Sequence, residues 1–233
     1  MSPDLNGQVV AVTGGFGSLG VSVARAVAAA GAKVALLDRA DASKAPADFP
    51  QALALGGVDL GSGAAAKEAI TRIVERFGRL DALVNVAGGF RWEKVEGGSI
   101  DTWDLLYQMN LRTAVTTVQA ALPHLLASSQ ACIVNIGAAA TAKAGAGMGA
   151  YAASKAGVAK LTEALAEELK DRAVTVNAVL PSIIDTAVNR ADMPNADFSR
   201  WVKPEQIADL IVFLLSSRAR AITGASIPIS GRV

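Results

Sequence analysis

The chain has 233 residues, 52% of them apolar and 18% charged, with a formal net charge of +1. That length and apolar content suit one α/β domain, residues 1–233, with a large core, and the balanced charge without a basic run argues against a nucleic-acid partner. A single cysteine, Cys132, leaves no intrachain disulfide framework; with no signal-peptide pattern and no apolar stretch of membrane-spanning length, the expectation is a cytoplasmic protein with no membrane partner.

Strand and helix patterns alternate from end to end. Residues 8–12 form a short apolar run, and residues 18–30 place Leu19, Val23, Val27 and Ala30 on one helical face that Gly31 closes. Residues 33–38 are a second buried strand and residues 53–59 a weaker one. A helix over 64–77 keeps Ile70, Ile73, Val74 and Phe77 in register up to Gly78, and a strand follows at 81–85. Trp103, Leu106 and Tyr107, at helical spacing, read as core or interface. The helix at 111–126 carries Ala114, Val115, Val118, Leu122 and Leu125 on one face. Then come a strand at 132–136, a helix near 150–169, a strand at 174–180, a helix near 205–215 and a last strand near 225–229.

Val/Ile/Leu-rich runs without alternation indicate strands covered on both faces, as in a parallel sheet. Helices between them supply right-handed crossovers. The expected fold is therefore a single-domain, Rossmann-like, doubly wound parallel sheet of about seven strands. Two stretches look looser: 40–51, with Pro46 and Pro50, and 181–203, with Pro194. The second follows a strand's carboxyl end, where ligands bind in such sheets, and is expected to be a substrate lid.

Two constellations carry chemistry. The turn Thr13-Gly-Gly-Phe-Gly-Ser-Leu-Gly20 lies between a strand and a helix, the setting in which a dinucleotide pyrophosphate docks. Asp38, ending the second strand, is placed to accept from the adenosine ribose hydroxyls and to repel a 2′-phosphate. This favours NAD(H), while the neighbouring Arg39 leaves NADP(H) open. Tyr151 and Lys155 stand four apart, so phenol and ammonium share one helix face. A nearby ammonium is expected to lower the phenol's pKa and make it a usable proton donor. Nucleotide site and proton donor together point to hydride transfer to a small molecule.

In this combination the chain resembles the short-chain dehydrogenase/reductase family over nearly its whole length. Asn85-Val-Ala87-Gly88 is similar to the family's turn after the fourth strand, and Tyr151 and Lys155 to its Tyr-x-x-x-Lys signature. The resemblance implies Tyr151 as acid, Lys155 on the nicotinamide ribose, and Asn110 as the residue holding a relay water. It implies Asp59 near the adenine, and a loop from Pro181 through Ile184 to Thr186 whose backbone holds the carboxamide and whose Thr186 contacts the cofactor. With Gly14, Phe16, Gly17, Ser18, Leu19 and Gly20 from the first turn, these complete the expected cofactor site. A homodimer or homotetramer built on the helices at 111–126 and 150–169 is also implied.

Three departures stand out. Ser18 occupies a position where the family usually has Gly, Ser182 replaces the Gly usual after Pro181, and Ala138 stands where the family's catalytic Ser lies. A lost oxyanion donor of that kind is worth about 2.7–4 kcal/mol. The segment 180–201 resembles the corresponding loop of dihydropteridine reductases, which reduce quinonoid dihydropterin with NADH. That substrate accepts hydride readily and needs a strong oxyanion hole less. The alternatives are a carbonyl reductase of a 3-oxoacyl thioester or small ketone, with Thr141 or a main-chain N–H replacing the Ser, and a catalytically weak nucleotide-binding protein. Phe90, Met148, Met193 and Trp201, like Trp92, are expected at the substrate side, where a flat ring would stack on aromatics.

Overall fold

The computed structural model describes residues 4–49 and 51–233; Pro50 of the first loose stretch lies outside the described residues. Seven strands form one parallel sheet in the order β3-β2-β1-β4-β5-β6-β7. They are β1 Val9–Thr13, β2 Lys33–Leu37, β3 Leu53–Leu55, β4 Ala82–Asn85, β5 Cys132–Ile136, β6 Thr175–Pro181 and β7 Ser226–Ile229. The helices are α1 Ser18–Ala29, α2 Gly63–Phe77, α3 Ile100–Leu106, α4 Thr113–Leu125, α5 Gly149–Leu169, α6 Ala187–Asp192 and α7 Pro204–Leu215. The expected single-domain, doubly wound parallel sheet is the fold observed.

The apolar strands are explained by burial on both faces. In β1, Val10 and Val12 pack under α1 and α7 with Val23, Val27, Ile207 and Ile211. Val9 and Ala11 face the other way, against Ile70, Ile73, Val118, Leu125 and Leu165 of α2, α4 and α5. Successive side chains point to opposite faces, so a strand sandwiched between helices admits a polar residue only where it is hydrogen-bonded, as the buried Asn135 and Asn177 are. Cys132 is one of these core positions and is fully buried.

The strand register aligns the carboxyl ends. Thr13 pairs with Asn85, Asn85 with Asn135, Ile136 with Val179, and Pro181 with Ile229. All the connecting turns that follow these residues therefore open along one edge of the sheet, on either side of the point where the chain reverses direction between β1 and β4.

Two elements differ from the sequence reading. The strand expected at 53–59 is only three residues long, because Val58 already bonds back to the carbonyl of Asp38 as the chain leaves the sheet. The helix expected from Leu111 starts at Ile100, with Ser99 capping the amide of Asp101, and runs through a π-helical turn, Tyr107–Arg112, into α4. Its first turns bury Thr102 and Leu106 and leave Ile100, Trp103 and Tyr107 exposed, so of the three residues read at helical spacing as core or interface only Leu106 is core. The widened turn is held by Thr113, whose hydroxyl donates to the Met109 carbonyl at 2.8 Å.

Candidate active site

The turns at the carboxyl edge enclose an open cleft of about 1190 Å³. At one end lies the first glycine turn. A Cβ at Gly20 would stand 2.1 Å from the Gly14 carbonyl oxygen, so helix and turn meet without room for a side chain. Gly17 is different. Its φ is −79°, and a Cβ there would meet nothing of the protein closer than 3.5 Å. The fold itself does not require glycine at 17; the side chain's absence keeps open the space over the α1 N-terminus. No side chain caps that helix and no acidic residue sits in its first turn, so its amides and partial positive charge face the cleft.

Asp38 is half-buried and accepts from the backbone N–H groups of Phe16 and Ala40, both at 2.9 Å. Each oxygen retains a lone pair for a ribose hydroxyl. Arg39 and Asp59 line the same end of the cleft, as do Ser18 and Leu19. Phe16 does not: its ring packs against the core under α1, and only its backbone serves the site, by orienting Asp38.

Tyr151 and Lys155 line the other end with Ala87, Gly88, Phe90, Pro181, Ile184 and Thr186. The Phe90 ring meets that of Tyr151 edge to face at 5.0 Å. Lys155 is buried, and its Nζ donates to the Ile136 carbonyl at 2.7 Å. Burial pushes the Tyr151 phenol up to about 12 and the Lys155 ammonium down to about 8. The expected lowering of the phenol by its neighbour is thus reversed in the free protein, because withdrawal from water disfavours both charged forms.

Asn110 and Asn85 stand behind the cleft rather than on its wall. Asn110, carried inward by the π turn, accepts from the Gly89 N–H at 2.8 Å and donates to the Gly89 carbonyl and to Ser154. A Cβ on Gly88 would lie 2.6 Å from Asn110 Oδ1 and 3.2 Å from Lys155 Nζ, which measures how closely turn, π segment and α5 converge. Asn85 donates to Asn135, which donates in turn to Thr162 of α5. This is a buried polar ladder that fixes β4, β5 and α5 together.

Ala138 is buried and extended at the start of a short turn. Thr141, the nearest hydroxyl by sequence, donates to the Ala138 carbonyl at 2.9 Å and is not among the cleft-lining residues. Three expected substrate residues also lie elsewhere. Trp201 is buried, packing against Phe198 at 4.8 Å to anchor the segment after α6; Met193 caps the end of α6; Met148 caps α5 beside Gly145. Trp92 closes over Gly147 and donates to the Ala146 carbonyl. Aromatic type alone did not separate residues that brace the loops from Phe90, which lines the cleft. Leu105, Gln108, Met109, Arg112 and Thr113 line it too. They were missed because the helix carrying them was expected to begin at Leu111, whereas it starts at Ile100.

Residues 8–197 match the sequence pattern of the short chain dehydrogenase family. The chain belongs to that family. This short-chain dehydrogenase is 32% identical to the 2-(S)-hydroxypropyl-CoM dehydrogenase 3 of Xanthobacter autotrophicus, over 99% of its own length and 98% of the relative's. A short chain dehydrogenase from Burkholderia cenocepacia, solved in complex with NADP, superposes with a TM-score of 0.89 at 34% identity, covering 97% of this chain and 98% of that one. The 3-ketoacyl-(acyl-carrier-protein) reductase of Brucella melitensis, solved with NADH, also gives 0.89, at 27% identity and 98% and 99% coverage. Among the described residues no helix is long and apolar enough to cross a membrane, and no His, Cys, Asp or Glu cluster is arranged to hold a metal ion.

Proposed function

We propose that this short-chain oxidoreductase is an NADH-preferring reductase of a planar, conjugated, imine-like substrate of the quinonoid dihydropterin type. The open space over Gly17 and the uncapped α1 N-terminus fit a dinucleotide pyrophosphate. In this reading Asp38 takes the adenosine ribose, Asp59 the adenine side, Lys155 the nicotinamide ribose, and the backbone of the 181–186 loop the carboxamide, with Thr186 also contacting the cofactor. Bound there, the nicotinamide supplies the hydride. Tyr151, kept protonated by burial, donates its proton to the reduced substrate; Lys155 ties its helix to the Ile136 carbonyl of β5, and Asn110 ties it through Ser154 to Gly89. Residues 181–203 serve as the lid.

The observation that carries this reading is the missing hydroxyl. Ala138 offers none, and the Thr141 hydroxyl is committed to the Ala138 carbonyl. A site with a single strong donor suits a substrate that accepts hydride without a second one. The test is NADH oxidation with freshly generated quinonoid dihydropterin against a Tyr151→Phe control. Rapid oxidation that collapses in the variant supports it; no oxidation despite NADH binding sinks it.

The likeness to a 3-ketoacyl reductase favours a second reading, a carbonyl reductase of a 3-oxoacyl thioester or small ketone, with a main-chain N–H in place of the Ser. Turnover of those substrates and none of pterin would select it. A protein that binds NADH and turns over neither class would be the catalytically silent alternative.

A further inference from the structure

Ser182 follows β6 at the carboxyl edge, where the family pattern has Gly, and it lines the same cleft as Tyr151, Lys155 and Gly137. Its backbone N–H donates to the Ile229 carbonyl at 3.1 Å, which closes β6 against β7. The side chain is not needed for that bond, since a glycine would make it equally well. The hydroxyl instead donates to the Ser230 carbonyl at 2.7 Å. A hydroxyl has one hydrogen and two lone pairs. With its hydrogen held by Ser230, the hydroxyl has only its lone pairs left to offer a ligand in the cleft that Ser182 lines.

We infer that Ser182 is a specificity-determining residue that accepts a hydrogen bond from a ring N–H of the substrate. Resting on the reductase reading above, this gives the substrate end of the cleft two polar side chains of opposite sense. Tyr151 donates toward the reacting atom and Ser182 accepts from a neighbouring position. A dihydropterin-type ring, or another cyclic amidine or lactam, carries an acceptor nitrogen and N–H donors on one plane and satisfies both. The reacting end of a simple ketone carries no N–H and leaves Ser182 unpaired, which is how a polar site discriminates against an otherwise similar ligand.

Ser182→Ala and Ser182→Gly both remove the acceptor, and both keep the backbone bond to Ile229. The KM for quinonoid dihydropterin should rise by about 3- to 10-fold relative to that for a planar ortho-quinone without N–H groups, the range expected for one neutral hydrogen bond, with kcat for the pterin little changed. An equal rise for both substrates, or none, overturns the inference. Cofactor affinity is titrated in parallel by NADH fluorescence, alongside the analogue with a methyl ketone in place of the carboxamide. Weakened binding of NADH but not of the analogue would assign the hydroxyl to the carboxamide and also overturn it. Binding of oxidised pterin to the NAD⁺ complex, followed by pterin fluorescence, separates the two levels. Wild type that binds pterin 3- to 10-fold more tightly than Ser182→Ala, yet does not turn over the quinonoid form, retains the recognition role and removes the proposed activity. Equal or no pterin binding removes the recognition role.

Discussion

Asn110 donates from Nδ2 to the Ser154 hydroxyl at 2.9 Å, and Ser154 in turn donates to the Tyr151 carbonyl at 2.8 Å. The amide's other N–H goes to the Gly89 carbonyl and its oxygen takes the Gly89 N–H. Both side-chain N–H groups are thus filled by protein, so a relay water is not held by them. The side chain acts as a staple joining the π segment, the turn after β4 and the helix bearing Tyr151 and Lys155.

Removing that staple strands polar groups on two elements, the Gly89 N–H and carbonyl in the turn after β4 and the Ser154 hydroxyl oxygen on α5. Asn110→Ala is expected to cost about 2–3 kcal/mol of stability, and Ser154→Ala about 1 kcal/mol. A coupling energy of about 0.5 kcal/mol or more between them is expected in a double-mutant cycle by urea unfolding. Turnover in Asn110→Ala should fall by about 10-fold or more through misplacement of Tyr151. Strict additivity of the two stability changes would show that the bond between the residues contributes nothing.

The buried Lys155 gives the free protein a pH signature. In the unfolded chain the ammonium titrates near 10.5 and in the fold near 8. Between those values the unfolded chain holds more protons, so stability rises with pH there; below pH 8 the full cost of burying the charge is present. The Tyr151 phenol, raised from 10 to about 12, opposes this only above pH 10. From pH 8 to 10 the wild type should therefore gain on the order of 2–3 kcal/mol relative to Lys155→Met. Parallel melting curves for the two proteins across that window would contradict it.

Restoring the absent hydroxyl tests the substrate assignment from the protein side. Ala138 is extended at φ −158°, a conformation open to any residue. Ala138→Ser is expected to raise kcat/KM for ketones or 3-oxoacyl thioesters by about 10²–10³-fold, the value of one oxyanion donor, and to leave pterin reduction within about 3-fold. An equal gain with both substrates would mean the pterin reading misjudges what the site needs.

Asp38 both orients the first turn and faces the cleft. Asp38→Ala removes an acceptor from the Phe16 and Ala40 amides and relieves repulsion of a 2′-phosphate, while Arg39 stays in place. The ratio of NADH to NADPH affinity should fall by about 10-fold or more, given about 1.5–3 kcal/mol for hydrogen bonds to a charged group. Fluorescence titration of both cofactors measures it; an unchanged ratio would release Asp38 from any role in selectivity.

The sequence by itself determined the elements whose signals are local. Unbroken Val/Ile/Leu runs of strand length indicated strands covered on both faces, and the glycine spacing at Gly14, Gly17 and Gly20 placed the strand-to-helix turn. The Tyr151–Lys155 spacing put two titratable groups on one helix face because helical geometry is fixed by the backbone. What only the tertiary structure decided were relations between distant segments. Trp103, Leu106 and Tyr107 show helical spacing in the α3 segment, but the π turn that continues it and brings Asn110 to Gly89 and Ser154 has no signature in the sequence. The Ile136 carbonyl that receives Lys155 and the burial that moves both pKa values belong to β5 and α5 packing together. Trp201 and Met193 look like substrate contacts in one dimension; packing turns Trp201 onto Phe198 and leaves Met193 capping α6. Desolvation and hydrogen-bond partnership depend on which chains meet at a point, and neither is a property of a residue's neighbours in sequence.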